Sequence, residues 1–253
     1  MSTDLQVLEV HSSQEAEEMA NFFKSIWTGG DDVVPFDLIL AAAHVGGYAF
    51  LVRQKNKVVG ASFGFRGVFQ GENILHSHVT AASVPGVGLG IKMHQFEWAK
   101  DQGVSGITWT FDPLVRRNCV FNFEKLGAVA VEYQPNFYGT MTDSINFGDD
   151  SDRLLAFWSL HRQHAESKSE NYETALRNVL GEPQIKSHDD SQPFWVELPE
   201  DIEEMRKTDL LLAQRWRSDL RKVVQPAIDD GAVIRLMKAD RSAILVEPAI
   251  VGL

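Results

Sequence analysis

A single cysteine in 253 residues, Cys119, rules out an intramolecular disulfide and any structural zinc site built on several thiolates. Basic residues are also scarce. Lys plus Arg number 24 against 35 Asp plus Glu, a formal charge of −11, and no Lys/Arg run forms the patch that a phosphate backbone needs. Nucleic acid is therefore not an expected partner. Long apolar runs are missing too: the longest, Ala41 to Val52, is broken by His44, Gly46 and Gly47, and the start, MSTDLQVLEVHSSQEAEE, has neither a positive end nor an apolar core. The expectation is a chain with no signal peptide or membrane span, working in a reducing cytoplasm. What is present is ordinary globular material, 44% hydrophobic and 23% charged. A chain of this size buries about 73% of its extended surface and needs no covalent staple.

Leu5 to Val10 alternates like a short strand, and Ser12 or Ser13 is placed to cap a helix from near Glu15 to Ile26 or Trp27. After a turn at TGGDD, Thr28 to Asp32, Phe36 to Ala43 reads as a second helix ended by Gly46 and Gly47. Three β-rich runs follow, Tyr48 to Arg53, Val58 to Val68 and Ile74 to Ser83, separated by turns at QKNK and QGEN in the manner of an antiparallel meander. Then come PGVGLG at Pro85 to Gly90, a helix over Ile91 to Gln102 with Met93, Phe96 and Ala99 on one face, and a strand at Ile107 to Phe111. Another helix, Arg116 to Lys125, and a strand, Val129 to Tyr133, complete this part. Leu154 to Leu160 reads as a seventh strand, and beyond it the composition turns polar, which places a boundary near residue 160. The C-terminal part offers a helix at Tyr172 to Leu180 stopped by GEP, a strand at Phe194 to Leu198, helices at Ile202 to Lys207 and Leu210 to Val224, and a hairpin of Val233 to Met237 with Ala243 to Val246.

Gly86, Gly88 and Gly90 stand between a strand and a helix, so backbone N–H groups there can face an anion without Cβ obstruction. The other reading is close packing alone. No GKS or GKT follows, and a meander precedes the loop where a dinucleotide fold would place one parallel unit, so neither familiar nucleotide loop applies.

In this order of elements, residues 5 to 140 resemble the GNAT superfamily of acyl-CoA-dependent N-acyltransferases. Several separated motifs also look like one uncharacterised GNAT-type acyltransferase family: Ser77-His78, KMHQFEWA at Lys92 to Ala99, ITWTFDPL at Ile107 to Leu114, RNCVFNFEKLGA at Arg117 to Ala128, and NFYG at Asn136 to Gly139. The resemblance implies an α/β (α+β) fold with a mixed, mainly antiparallel sheet flanked by helices over 1–160, and an α+β extension over 161–253. It also implies that acetyl-CoA or another acyl-CoA is held at Ala81, Ser83, Val84, Gly86, Val87, Gly88, Leu89 and Gly90, with Asn118 on the pantetheine arm. The superfamily's loop opens on Arg or Gln, where this chain has Ser83 or Pro85. Its tyrosine acid falls on Phe123.

An N-acyltransferase must deprotonate an ammonium, stabilise a carbonyl oxygen and protonate a departing thiolate. His78, placed by alternation on one strand face with His76 and Thr80, is the first candidate base, against a reading as a hydrogen-bonded structural histidine. Asp112 ends a strand and would bind the ammonium or orient His78, or else act as a turn residue. With Phe123 in place of tyrosine, Tyr138 is the remaining acid candidate, against a role as a core aromatic. Arg116 and Arg117 are candidates for the coenzyme's 3′-phosphate or for solvated positions.

No convincing metal set completes the His161/His164 pair, and Cys119 reads as a buried inert thiol. The acidic clusters Asp149 to Asp152 and Glu200 to Glu204 read as solvated surface, and Trp195 and Trp216 as packing residues or a dimer interface. The expectation is an acyl-CoA-dependent N-acyltransferase, acetyl or longer such as succinyl, acting on a small amine or amino acid. No metal, nucleic acid or membrane takes part, and a homodimer is compatible with the sequence. The alternative is a non-catalytic acyl-CoA-binding or sensing module.

Overall fold

The structure, a computed structural model of the chain, describes residues 5–27, 33–139, 148–161 and 171–249. The expected turn at Thr28 to Asp32 and the residue His164 lie outside them. The chain divides into two compact units, Met1–Trp109 with Ser159–Arg162, and Thr110–Trp158 with Gln163–Leu253. One crossing between the units falls inside a strand, after Trp109, and the others flank Ser159–Arg162.

In the first unit, β1 (Leu5–Glu9) leads to α1 (Ser13–Ile26), which opens on a reciprocal capping box. The Glu15 N–H donates to Ser12 Oγ, and the Ser12 N–H donates back to the Glu15 carboxylate at 2.9 Å. After α2 (Phe36–His44), the expected meander is formed by β2 (Tyr48–Gln54), β3 (Lys57–Phe69) and β4 (Glu72–Ala82), all antiparallel neighbours. Both its hairpins turn on two residues with positive φ, Lys55-Asn56 and Gln70-Gly71, the backbone that matches the twist of the strands. The chain then enters α3 (Val87–Asp101) and β5 (Gly106–Phe111), giving the order β1-β2-β3-β4-β5.

Two cores sit on opposite faces of this sheet. α1 and α2 bury Ala16, Met19, Phe23 and Ile39 against Leu51, Ala61, Phe63, Val79 and Ala81, while α3 seats Val87 and Ile91 on Val52 and Val59. α3 lies close because Gly60 passes beneath it. A Cβ at Gly60 would stand 2.7 Å from Val87 Cγ1 and 2.9 Å from Ile91 Cδ1. Of the expected face only Ala99 is buried: Phe96 is half-buried and Met93 exposed, while Ile91, Lys92 and Gln95 turn inward.

In the second unit, α4 (Arg116–Cys119) runs directly into a π-helical turn at Val120–Lys125, followed by β6 (Val129–Gln134), β7 (Arg153–Ser159), β8 (Glu173–Val179) and β9 (Glu182–Ile185). β10 (Phe194–Glu197), α5 (Ile202–Thr208), α6 (Leu210–Asp229), β11 (Val233–Met237) and β12 (Ala243–Glu247) complete it. The strand order is β7-β6-β11-β12-β10-β8-β9, with only β8 and β10 parallel among the pairs along it. The expected helix at Tyr172 to Leu180 is corrected to the strand β8. Gly181, which reads as a helix stop, is instead the second residue of a two-residue hairpin turn with Leu180, φ 54° and 91°, joining Val179 to Glu182.

Trp195 and Trp216 are both buried inside this unit, and the Trp216 indole N–H donates to the Gly181 carbonyl at 2.9 Å, so neither lines an exposed interface. Cys119 is buried with its thiol on the Pro113 carbonyl, and burial pushes that thiol up, away from the reactive thiolate. No helix among the described residues is long and apolar enough to cross a membrane.

Candidate active site

The glycine segment is a shorter turn than expected. α3 begins at Val87, so Gly86 is its N-cap, at φ 86°, and Gly88 and Gly90 lie in its first turn. A left-handed N-cap is a conformation that glycine adopts at no steric cost. The Val87 N–H bonds the Val84 carbonyl at 3.2 Å and the Gly90 N–H bonds the Gly86 carbonyl at 3.1 Å, which leaves the Gly88 and Leu89 N–H groups without a partner among the described residues. Access to them is open. A Cβ at Gly90 would meet nothing within 4 Å, and one at Gly88 only Ala82 Cβ at 3.8 Å. Two free donors at the positive end of a fifteen-residue helix can hold a phosphate group. Ser83 contributes differently than expected, since its N–H and Oγ both bond the Val59 carbonyl, and Ala81 is core.

Behind this turn, β4 carries a β-bulge. Phe63 pairs with Val79 and Phe65 with His76, so two residues of β4, Ser77 and His78, stand opposite one of β3. The extra residue breaks the alternation and corrects the expected face: Thr80 parts from the histidines. Thr80 Oγ1 lies 2.7 Å from Ser62 Oγ, which in turn accepts Gln95 Nε2 of α3 at 2.9 Å. His76 and His78 instead gather with Phe65, at ring centroids of 5.2 and 5.9 Å, and with each other at 6.2 Å. β5 pairs with β4 only over Ile74 to His76, so the bulge begins where that parallel ladder ends.

His76 Nδ1 lies 2.9 Å from Thr108 Oγ1, its register partner on β5. Burial, then the neighbouring His78 and Lys92 charges, push His76 down to about 4, and burial also lowers His78 below the ordinary imidazole value. Both rings are neutral at pH 7, the form that accepts a proton.

Sequence reasoning missed the residue beneath the bulge. Lys92 is 4% exposed, donates to Ser77 Oγ at 2.8 Å and sets Nζ 4.0 Å from the centre of the Trp109 ring. Among the described residues no carboxylate lies within ion-pair reach of it, and burial brings its ammonium down to about 7. A lysine read two positions after the last glycine, on the buried side of α3, was the available signal.

In the second unit Asp112 takes the turn role and not the one toward an ammonium or His78, and it also holds two arginines. Its Oδ2 accepts the Arg206 and Arg217 guanidiniums, its Oδ1 accepts the Leu114 N–H at 2.9 Å, and the residue is buried. Burial alone would raise its carboxyl, but Arg217 and then Arg206 outweigh that and hold it far below the usual range. No oxygen is left for a substrate ammonium or for orienting a histidine.

The expectation that Asp149 to Asp152 form solvated surface is also corrected. Asp149 Oδ2 accepts Arg206 Nε at 3.1 Å and Arg217 Nε at 2.9 Å, and buried Asp152 accepts Tyr133 Oη at 2.5 Å and Arg221 Nε at 2.8 Å. Tyr138 is half-exposed, its hydroxyl 3.0 Å from Thr110 Oγ1 and its ring 5.4 Å from the Arg153 guanidinium. Asn118 is the third residue of α4 and is partly exposed. Arg117, the more exposed of the two phosphate candidates, pairs with Glu203, and Arg116 donates to the Leu198 carbonyl at 2.7 Å. Phe123 is buried against Phe111 at 5.9 Å.

No protein-family model and no curated protein sequence matches the chain. Solved structures do. A putative acetyltransferase from Salmonella typhimurium, determined with its cofactor acetyl-CoA, matches with a TM-score of 0.50 and 12% identity over 66% of this chain and 99% of its own. A GNAT-family acetyltransferase from Streptococcus pneumoniae gives 0.48 and 16% over 61% and 98%, and an agmatine N-acetyltransferase 0.47 and 10% over 62% and 99%. At such identities the likeness concerns the fold alone. That fold is the GNAT acetyltransferase fold, a mixed and mainly antiparallel sheet with helices, accompanied here by a further region beyond it.

Proposed function

We propose that the protein is an acyl-CoA-dependent N-acyltransferase that acts on the amine of a small molecule or amino acid by direct transfer in a ternary complex. The observation that supports this best is the pair of free donors at Gly88 and Leu89, placed directly after a strand whose bulge carries the neutral His78. The acyl-CoA supplies an activated thioester as co-substrate. Gly88 and Leu89 hold its pyrophosphate, and His78 accepts the proton of the acceptor ammonium so that the C–N bond can form as the C–S bond breaks. Backbone amides of β4 beyond His76, where pairing to β5 has ended, are the proposed donors to the acyl oxygen. Asn118 and Tyr138, in the second unit, are assigned the pantetheine arm and the thiolate proton on the strength of the resemblance. The charge of −11 favours a cationic acceptor.

Thiol release from acetyl-CoA and succinyl-CoA across a panel of amines tests the proposal. His78→Ala is expected to lower kcat/KM by about 100-fold, and a loss under threefold removes His78 from the reaction. Because burial lowers His78, the acid limb of the wild-type profile is expected below 6.5. The buried Phe123 at the position of the superfamily's tyrosine favours one other reading, a non-catalytic acyl-CoA-binding module, which predicts coenzyme binding with no thiol release for any amine.

A further inference from the structure

Lys92 is an unusual group to find under the bulge. A buried ammonium is ordinarily paired with a carboxylate or displaced to the surface, because charge without compensation is costly in a poorly solvated site. Here its partners are one hydroxyl, Ser77 Oγ, and one aromatic face, Trp109. Ser77 is itself a bulge residue, adjacent to His76 and His78. The geometry thus connects one titratable cation, through a single side chain, to the strand segment that holds both imidazoles.

We propose that Lys92 is a positioning residue that anchors Ser77 at the β4 bulge and takes the first proton entering this cluster, so that His76 stays neutral. As a role in transfer this rests on the acyltransferase reading, but the ordering of protons does not. Like charges in one cluster exclude one another, and a proton held on Lys92 opposes a second on His76. The other titratable groups around α3 do not compete for this place. Tyr48 on β2 is bonded to His94 of α3 at 2.8 Å, Glu9 of β1 acts on that same His94, and Arg66 of β3 reaches Gln102 and Trp98 at the far end of the helix. From β5, Thr108 and Trp109 reach the neighbourhood, and neither side chain titrates.

The test is a proton NMR titration of the histidine rings from pH 8.5 to 4.5 in wild type, Lys92→Met and Lys92→Gln, with His76→Gln and His78→Gln used for assignment. Gln95 Nε2 also donates to Ser77 Oγ at 2.9 Å, so the hydroxyl keeps a partner when the ammonium is removed. In wild type, His76 is expected to remain neutral through most of the range. In both variants its midpoint is expected to rise by at least half a unit, about a threefold change in proton affinity. A midpoint that moves by less than 0.2 unit (~1.6-fold) in both variants overturns the proposal.

Turnover is read separately on the same proteins. If wild type turns over, Lys92→Met is expected to lower kcat several-fold with KM held within about twofold, because Ser77 beside His78 loses its anchor, and a kcat unchanged within about twofold overturns the positioning role. If wild type shows no turnover with any amine, the acyltransferase reading fails and the ring titration alone decides the ordering of protons.

Discussion

Replacing Arg217 with Met is expected to destabilise the second unit by about 3–5 kcal/mol, the typical effect of removing one member of a buried ion pair. Arg217 is 2% exposed and serves two carboxylates, reaching Asp112 at 3.0 Å and Asp149 at 2.8 Å. Without it, Asp112 and Asp149 are left sharing Arg206 as their direct partner, with Arg153 acting on Asp112 from further off. The cost arises from the charge left behind more than from the pair removed. Removing an anion together with the cation, as Asp112→Leu with Arg217→Met, should therefore recover more than half of the loss. Urea unfolding checks both numbers. A single-variant loss below 1 kcal/mol would show that the cluster is solvated rather than buried.

The second large effect concerns Lys92 and has a defined direction with pH. A lysine held near 7 in the fold and at 10.5 when unfolded binds fewer protons folded than unfolded throughout that window. Stability of the first unit must therefore rise as pH increases from about 7 to about 10.5, and the full cost of burying the charge is felt below 7. The shift corresponds to a cost on the order of 5 kcal/mol. Lys92→Met keeps the aliphatic stem and removes the charge, so it is expected to be more stable than wild type at pH 6, with the gap closing towards pH 10. A gap of constant size across that range would mean that the site is wet enough to solvate the ammonium.

Local signals were readable in the sequence, and long-range ones were not. The Ser12–Glu15 capping box, the two-residue turns at Lys55-Asn56 and Gln70-Gly71, and the meander between them are determined by neighbours in the chain. The burial of Asp149 and Asp152 is determined by arginines 57 to 69 residues away, so an acidic run that looks solvated is in fact neutralised from α5 and α6. The bulge at Ser77-His78 adds one residue to β4, and no residue type announces that addition. Once present, it separates Thr80 from the histidines. On α3, two polar residues on the inward face, Lys92 and Gln95, weaken the apolar periodicity, so Met93 and Phe96 read as the core side. β8 reads as a helix in the sequence because Gly181 closes a strand hairpin as well as it would end a helix.

The first measurement to make is calorimetric titration of the protein with acetyl-CoA, succinyl-CoA and free coenzyme A, with Gly88→Trp beside wild type. Gly88 offers one of the two free donors, and among the described residues outside its own helix a Cβ there would meet Ala82 Cβ alone within 4 Å, so an indole can be built into the approach without disturbing the core. Micromolar binding by wild type, weakened at least 100-fold in Gly88→Trp, is the predicted result. Binding by neither protein to any of the three would contradict the coenzyme site and leave the GNAT fold here without its chemistry.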